Sequence, residues 1–212
     1  MKMQDKKTII LNVAEELFST KGFEAASVRE IAEAAKVNVA MISYYFGSKE
    51  NLMLHLFKYR MDASKLKIEN IIKDNSLKPF EKVEKLLGDY ITKVINNQAF
   101  YKIMVSEQVL RQNPAIIKQI SELKKGYADL TTELLKEGQA QKLFKKEVDV
   151  FMMMNTMTGT VTQIVINQEI YFDFHNYARL TAAEKKEILY KNLYAHLRNI
   201  FKATLGYTEN KL

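Results

Sequence analysis

The chain has no cysteine and no tryptophan, and only two prolines and seven glycines among its 212 residues. Without cysteine it can form neither disulfides nor thiolate metal sites, which suits a reducing compartment and leads us to expect a cytoplasmic location. So few helix breakers over this length favour long helices over many short strands, and an all-α fold is expected. No uninterrupted apolar run is long enough to span a bilayer. The first residues carry charge ahead of a short apolar run, but Asn12, Glu15 and Glu16 interrupt it and no small-residue cleavage site follows, so it does not read as a signal peptide. Catalytic sets are missing too. His55, His175 and His196 are scattered, none follows a glutamate at the spacing of a di-iron bundle, and there is no glycine-rich phosphate loop. Neither an enzyme nor a metal or cofactor site is expected.

What is present is ordinary for a folded protein with a sizeable core: 47% hydrophobic and 27% charged residues. A formal net charge of +7 suits a polyanionic partner. The charge is not concentrated, however. The first sixty residues hold nine Lys/Arg against seven Asp/Glu, so charge supports nucleic-acid binding only weakly and a motif must carry it.

That motif lies in 27–52. Val28, Ile31, Ala32 and Ala35 recur at helical spacing, and Val39, Ile42 and Phe46 do so a few residues later. Two helices this short are marginal alone, so both must pack on neighbours with the joint between them fixed in angle, which is the geometry of a helix-turn-helix. Ser27 with Glu30 forms a capping box, Asn38 is placed to cap the second helix, and Ser48 the next one. If Val39, Ile42 and Phe46 point inward, Ala40, Met41, Ser43, Tyr44 and Tyr45 fall on the sides and outer face, with Lys49 just beyond. Small residues permit close approach, Met41 can meet a thymine methyl, and hydroxyls reach phosphates or base edges. The helix has no Arg, Asn or Gln for bidentate reading, so Arg29 is the best-placed side chain for a guanine. The expected DNA-binding set is Ser27, Arg29, Asn38, Val39, Ala40, Met41, Ser43, Tyr44, Tyr45 and Lys49.

From about residue 6 to 56 the chain resembles the DNA-binding domain of the tetracycline repressor (TetR) family of bacterial transcription regulators. The residues that carry the likeness are Ile10, Leu11, Ala14, Leu17, Phe18, Gly22, Phe23, Ser27, Val28, Ile31, Ala32, Ala35, Val37, Tyr44, Phe46, Ser48, Lys49, Glu50 and Leu52. Two positions depart from the pattern. Lys36 stands where the family usually has glycine at the tight turn, and Ser43 where it commonly has a tyrosine that touches the DNA backbone.

Around the motif, 8–20 reads as a helix forming a floor, with Ile9, Val13 and Leu17 on one stripe, Ile10, Ala14 and Phe18 beside it, and Gly22 at its end. A long pattern runs from Ser48 to about Lys73. Further helices are expected over 79–96 from Pro79, 99–111, 114–139 from Pro114, 149–168 and, after the capping box of Thr181 and Glu184, to about 205. The segment 149–168 is apolar nearly all round and reads as a buried helix with a methionine cluster. The division expected is a three-helix DNA-binding domain over 1–50, a helical ligand-binding and dimerisation domain over 51–207, and a tail over 208–212.

A helix-turn-helix reads near-palindromic operators as a twofold dimer, so a homodimer is expected. Thr158, Thr162, Tyr190, Tyr194, Leu197 and Phe201, on the methionine-rich and final helices, are expected to build a four-helix interface. The family resemblance further implies a cavity for a small-molecule effector, with Tyr101, Met104, Gln108, Tyr127, Met153, Met157 and Gln163 as lining residues and a hydrophobic compound as ligand. The reading is a ligand-responsive repressor bound to a double-stranded DNA operator. The alternative is an architectural DNA binder, tolerant of sequence and without an effector.

Overall fold

A computed structural model describes residues 3–111 and 113–207. Among these residues there are ten helices and no strand: α1 (Met3–Lys21), α2 (Val28–Ala34), α3 (Val39–Phe46), α4 (Lys49–Ile72), α5 (Pro79–Asn96), α6 (Gln98–Leu110), α7 (Pro114–Ala140), α8 (Val150–Ile166), α9 (Gln168–Phe174) and α10 (Ala182–Leu205). The fold is all-α as expected. α1 starts earlier than its apolar pattern and α9 was not expected, while the other helix ends fall where the capping residues and prolines put them. The tail 208–212 lies outside the described residues. The chain forms two compact units that interleave along the sequence, Met1–Lys65 with Ala99–Ser121, and Leu66–Gln98 with Glu122–Leu212.

The first unit is built on α1. Its buried stripe is Ile10, Leu11, Ala14 and Phe18, while Ile9, Val13 and Leu17 are only half-buried, so the two stripes exchange rank. α2 adds Ile31 and Ala32, α3 adds Ile42 and Phe46, and α4 adds Leu52, Met53, Leu56 and Phe57. Each fully buried side chain of this size contributes roughly 1.5–3 kcal/mol. α1 and α4 are clasped by Arg60 Nε donating to Glu15 Oε2 at 2.6 Å, and Arg60 also reaches Asn12 Oδ1 at 3.3 Å. Glu15 is buried, so this charge-assisted bond satisfies a carboxylate that would otherwise be stranded. His55 is a packing residue: Nδ1 meets Asn51 O at 2.8 Å and its ring lies edge-on to Phe46. On α6, Phe100 packs edge-on to Phe57 at 5.1 Å.

The second unit is organised by α5, which packs on α8 and α10. Its core joins Phe80, Val83, Leu134, Leu135, Phe144, Met153, Phe201 and Leu205. Gly138 on α7 is required there, because a Cβ would sit 2.1 Å from Phe144 Cδ2. Lys82 is 1% exposed, and its ammonium is kept in the core by Glu137 Oε2 at 2.8 Å. Burial pushes the Tyr90 phenol up to about 12, with Tyr127 adding to the shift and the bond to Thr162 opposing it.

Two expectations need correction here. α8 is not buried all round, since Phe151 is 58% and Met152 63% exposed. The expected dimer residues lie largely inside the protomer. Leu197, Phe201 and Thr162 are buried, and Thr162 Oγ1 is 3.2 Å from Tyr90 Oη. The rings of Tyr190 and Tyr194 stack at 5.8 Å, and the Tyr190 hydroxyl lies 2.9 Å from where a Cβ of Gly88 would be. The reason is that α10 packs on α5 within the protomer, with Tyr190 and Tyr194 beside Gly88, although Tyr190 itself stays 38% exposed. Thr158 is half-buried.

Candidate nucleic-acid interface

The start of α2 is fixed by side chains close to it in sequence. Ser27 Oγ accepts from Glu30 N at 3.2 Å while Glu30 Oε2 accepts from Ser27 N at 2.9 Å, which completes the capping box. Glu30 Oε1 also takes the ammonium of Lys21 at 2.7 Å. The Lys21 hydrogen bond, then those of the Ser27 backbone and hydroxyl, hold the Glu30 carboxyl down at about 2. α3 begins where Asn38 Oδ1 accepts from Ala40 N at 2.8 Å, and α4 where Ser48 Oγ accepts from Asn51 N at 3.1 Å. All three expected caps are therefore present.

Between α2 and α3 the chain reverses through Lys36, whose φ is 53°. Lys36 N donates to Glu33 O at 3.0 Å and Val37 N to Ala32 O at 2.9 Å, which closes the end of α2. A side chain in this left-handed conformation costs about 1–2 kcal/mol relative to glycine. The angle between the helices is thus set by a strained residue.

Arg29, Ala40, Ser43 and Tyr44 are exposed, and Met41 and Tyr45 are half-buried beside them. Ile42 and Phe46 point inward as expected. Val39 does not: at the first position of α3 it is 40% exposed. Ser27 and Asn38 are exposed and act as caps, with their backbones at the helix N-termini. Lys49 departs most from expectation. Its ammonium donates to Phe23 O at 2.9 Å and Glu24 O at 3.3 Å and lies 4.4 Å from the centre of the Phe23 ring. It braces the turn between α1 and α2, and we assign it that role in place of DNA contact. Among the described residues, no ion pair or hydrogen bond holds the side chain of Arg29 or Lys36.

The residues expected to line an effector cavity divide between the two units. Tyr101, Met104 and Gln108 belong to the first, where Tyr101 is buried and Gln108 Nε2 donates to Met104 O of its own helix at 3.0 Å. Tyr127, Met153, Met157 and Gln163 belong to the second. Met153 and Met157 join its core, while Gln163 is exposed on α8, so Gln163 does not face the interior. Met153 also lines a groove of about 280 Å³ with Met152, Thr156, Ile200, Phe201 and Thr204. The groove opens on the outer side of α8 and α10.

A capped short helix, a fixed reversal and a second short helix with its outer face in solvent define a helix-turn-helix DNA-binding protein. Residues 10–56 match the bacterial regulatory proteins of the tetR family, and residues 57–188 match the C-terminal region of YsiA-like proteins. The chain belongs to the tetR family of transcription regulators, which are not enzymes. It is 28% identical over 167 residues to the fatty acid metabolism regulator protein of Bacillus subtilis, covering 76% of this chain and 84% of that one. Its fold is similar to that of the fatty acid degradation regulator FadR from Bacillus halodurans, with a TM-score of 0.69 and 26% identity over 93% and 97% of the two chains. It is also similar to that of FadR from Bacillus subtilis in complex with stearoyl-CoA, with a TM-score of 0.66 and 23% identity over 90% and 96%.

Proposed function

We propose that the protein is a cytoplasmic, ligand-responsive repressor that binds a palindromic operator as a homodimer and is released by a small hydrophobic effector. The observation that carries the DNA half is the exposed surface of Arg29, Ala40, Met41, Ser43 and Tyr44, set at a fixed angle by the caps and the turn. Residues 1–50 act as the reading head and the remaining helices as the part that senses and dimerises. With Leu197 and Phe201 of α10 buried within the protomer, the second copy is proposed to meet Phe151, Met152, Thr156 and Gly159 of α8 and Asn192, Ala195 and Asn199 of α10. Exposed large apolar side chains beside small ones suit a self-complementary contact.

The effector half rests on the relatives. A regulator of fatty acid metabolism and a neighbour bound to stearoyl-CoA make a long-chain acyl thioester the first compound to try. Such a ligand acts by preferring one spacing of the two heads over another. Within the second unit, Tyr127, Met153 and Met157 remain the proposed lining.

The test is a titration of fluorescent duplex, taken from upstream of the protein's own gene, against scrambled competitor, with and without stearoyl-CoA. The reading expects at least a hundredfold preference for the upstream duplex, lost on adding the thioester. Equal affinity for both duplexes leaves the architectural DNA binder instead. Preference without a response to stearoyl-CoA removes the acyl thioester alone.

A further inference from the structure

We propose that Lys36 is a DNA-backbone contact: its ammonium neutralises a phosphate at the edge of the groove that α3 enters. This rests on the DNA-binding reading above and adds a residue to it.

The backbone of Lys36 closes the end of α2, but its side chain contributes nothing visible inside the fold. Its φ of 53° is one that glycine adopts without strain, and its side chain is exposed. No hydrogen bond, ion pair or ring contact among the described residues engages its ammonium. Three other lysines near the head's helix ends are engaged, whereas Lys58 and Lys102, elsewhere in the first unit, are exposed like Lys36. Lys21 is held by Glu30, Lys49 by the carbonyls of Phe23 and Glu24, and Lys7 sits 5.5 Å from the centre of the Phe46 ring. Glycine would make the same turn without strain, so a lysine there whose side chain touches nothing in the protein points to a use outside it.

Its position says what that use is. Asn38, two residues on, caps α3. Two peptide units span at most roughly 7.6 Å between the two Cα atoms. The N-terminal residues of a reading helix approach base edges, so the phosphates bordering that groove lie beside the turn before it. A long, flexible lysine with no partner in the protein reaches such a phosphate, and glycine cannot. A phosphate contact carries no sequence information, so its effect is the same on any duplex.

The test uses the full chain, a fluorescent mixed-sequence duplex of about 30 base pairs, and salt from about 50 to 200 mM. Lys36→Gly removes both charge and strain, whereas Lys36→Gln removes the charge and keeps the backbone conformation. Both variants are expected to bind about tenfold more weakly at the lowest salt and to lower the slope of log affinity against log salt by about one per bound head. Lys36→Gly alone is expected to raise the melting temperature, by about 2–4 °C. Wild-type affinity and slope in both variants would overturn the proposal and leave the DNA-binding reading intact. Weaker binding by Lys36→Gly but not Lys36→Gln would also overturn it, since the backbone and not the charge would then matter. A wild-type chain that binds no duplex at all removes both readings together.

Discussion

The starts of α2 and α3 in the reading head are set by side chains acting within four residues of themselves, Ser27 on Glu30 and Asn38 on Ala40, with Arg60 to Glu15 and Lys49 to Phe23 as its longer ties. Those of the second unit are tied by groups far apart in the chain: Lys82 to Glu137, Tyr90 to Thr162, and Arg198 to Glu84. The difference teaches how a regulator keeps one part constant while another varies. Helix starts fixed by local caps do not depend on the spacing of distant helices. A bundle held by distant pairs has its packing changed by anything that alters the spacing of its helices.

Substitutions that attack distant contacts should therefore cost more than those that attack local ones. Gly138→Ala is expected to have the largest effect, about 3 kcal/mol in a urea melt, because the new methyl overlaps the Phe144 ring. An exposed helical glycine would instead gain roughly 0.5–1 kcal/mol from the same change, and that outcome would refute the packing described. Next comes Glu137→Gln, at about 2 kcal/mol, since it leaves the Lys82 ammonium unpaired in the core. The figure is reduced from that for a fully buried pair because Glu137 is about a third exposed. Lys82→Met should be close to neutral, and equal losses in both variants would show that the lysine stem, not the ion pair, matters.

In the head, Ser27→Ala should cost about 1 kcal/mol through loss of the cap. The smallest effect is one of pH. The Lys21 and Ser27 hydrogen bonds hold the Glu30 carboxyl at about 2, below its ordinary 4.5, so its ionised form favours folding. That contribution is fully present above pH 4.5 and is lost as pH falls from there towards 2. Glu30→Gln should flatten the acid side of the head's unfolding profile, followed by NMR of α2 amides. An unchanged profile would mean that Lys21 and Ser27 do not hold the carboxylate in solution.

The same contrast explains what the sequence disclosed. The bounds of α2, α3, α5 and α10 were legible because Ser27, Asn38, Pro79 and Thr181 act on their immediate neighbours. The turn at Lys36 was marked by a different signal, the glycine that the family usually has there. The role of Lys49 was not legible, because the carbonyls it braces lie about 25 positions earlier. Nor could periodicity decide how many stripes of α10 face inward, since that depends on how α5 lies across it, and Gly88 lets the Tyr190 hydroxyl come close. The exposure of Phe151 and Met152 was hidden by a composition that reads as core from end to end. α9 was missed because Asn167 interrupts an apolar run that otherwise continues, and the aromatic residues after it gave no period.

Selection of bound duplexes from a random pool by the purified chain tests the central claim most directly. The account predicts enrichment of two half-sites related by twofold symmetry, with centres one helical turn or a multiple of it apart, and loss of preference at one position of each half-site in Arg29→Ala. A pool that stays random, or one enriched in a single unpaired site that Arg29→Ala reads equally well, would contradict it.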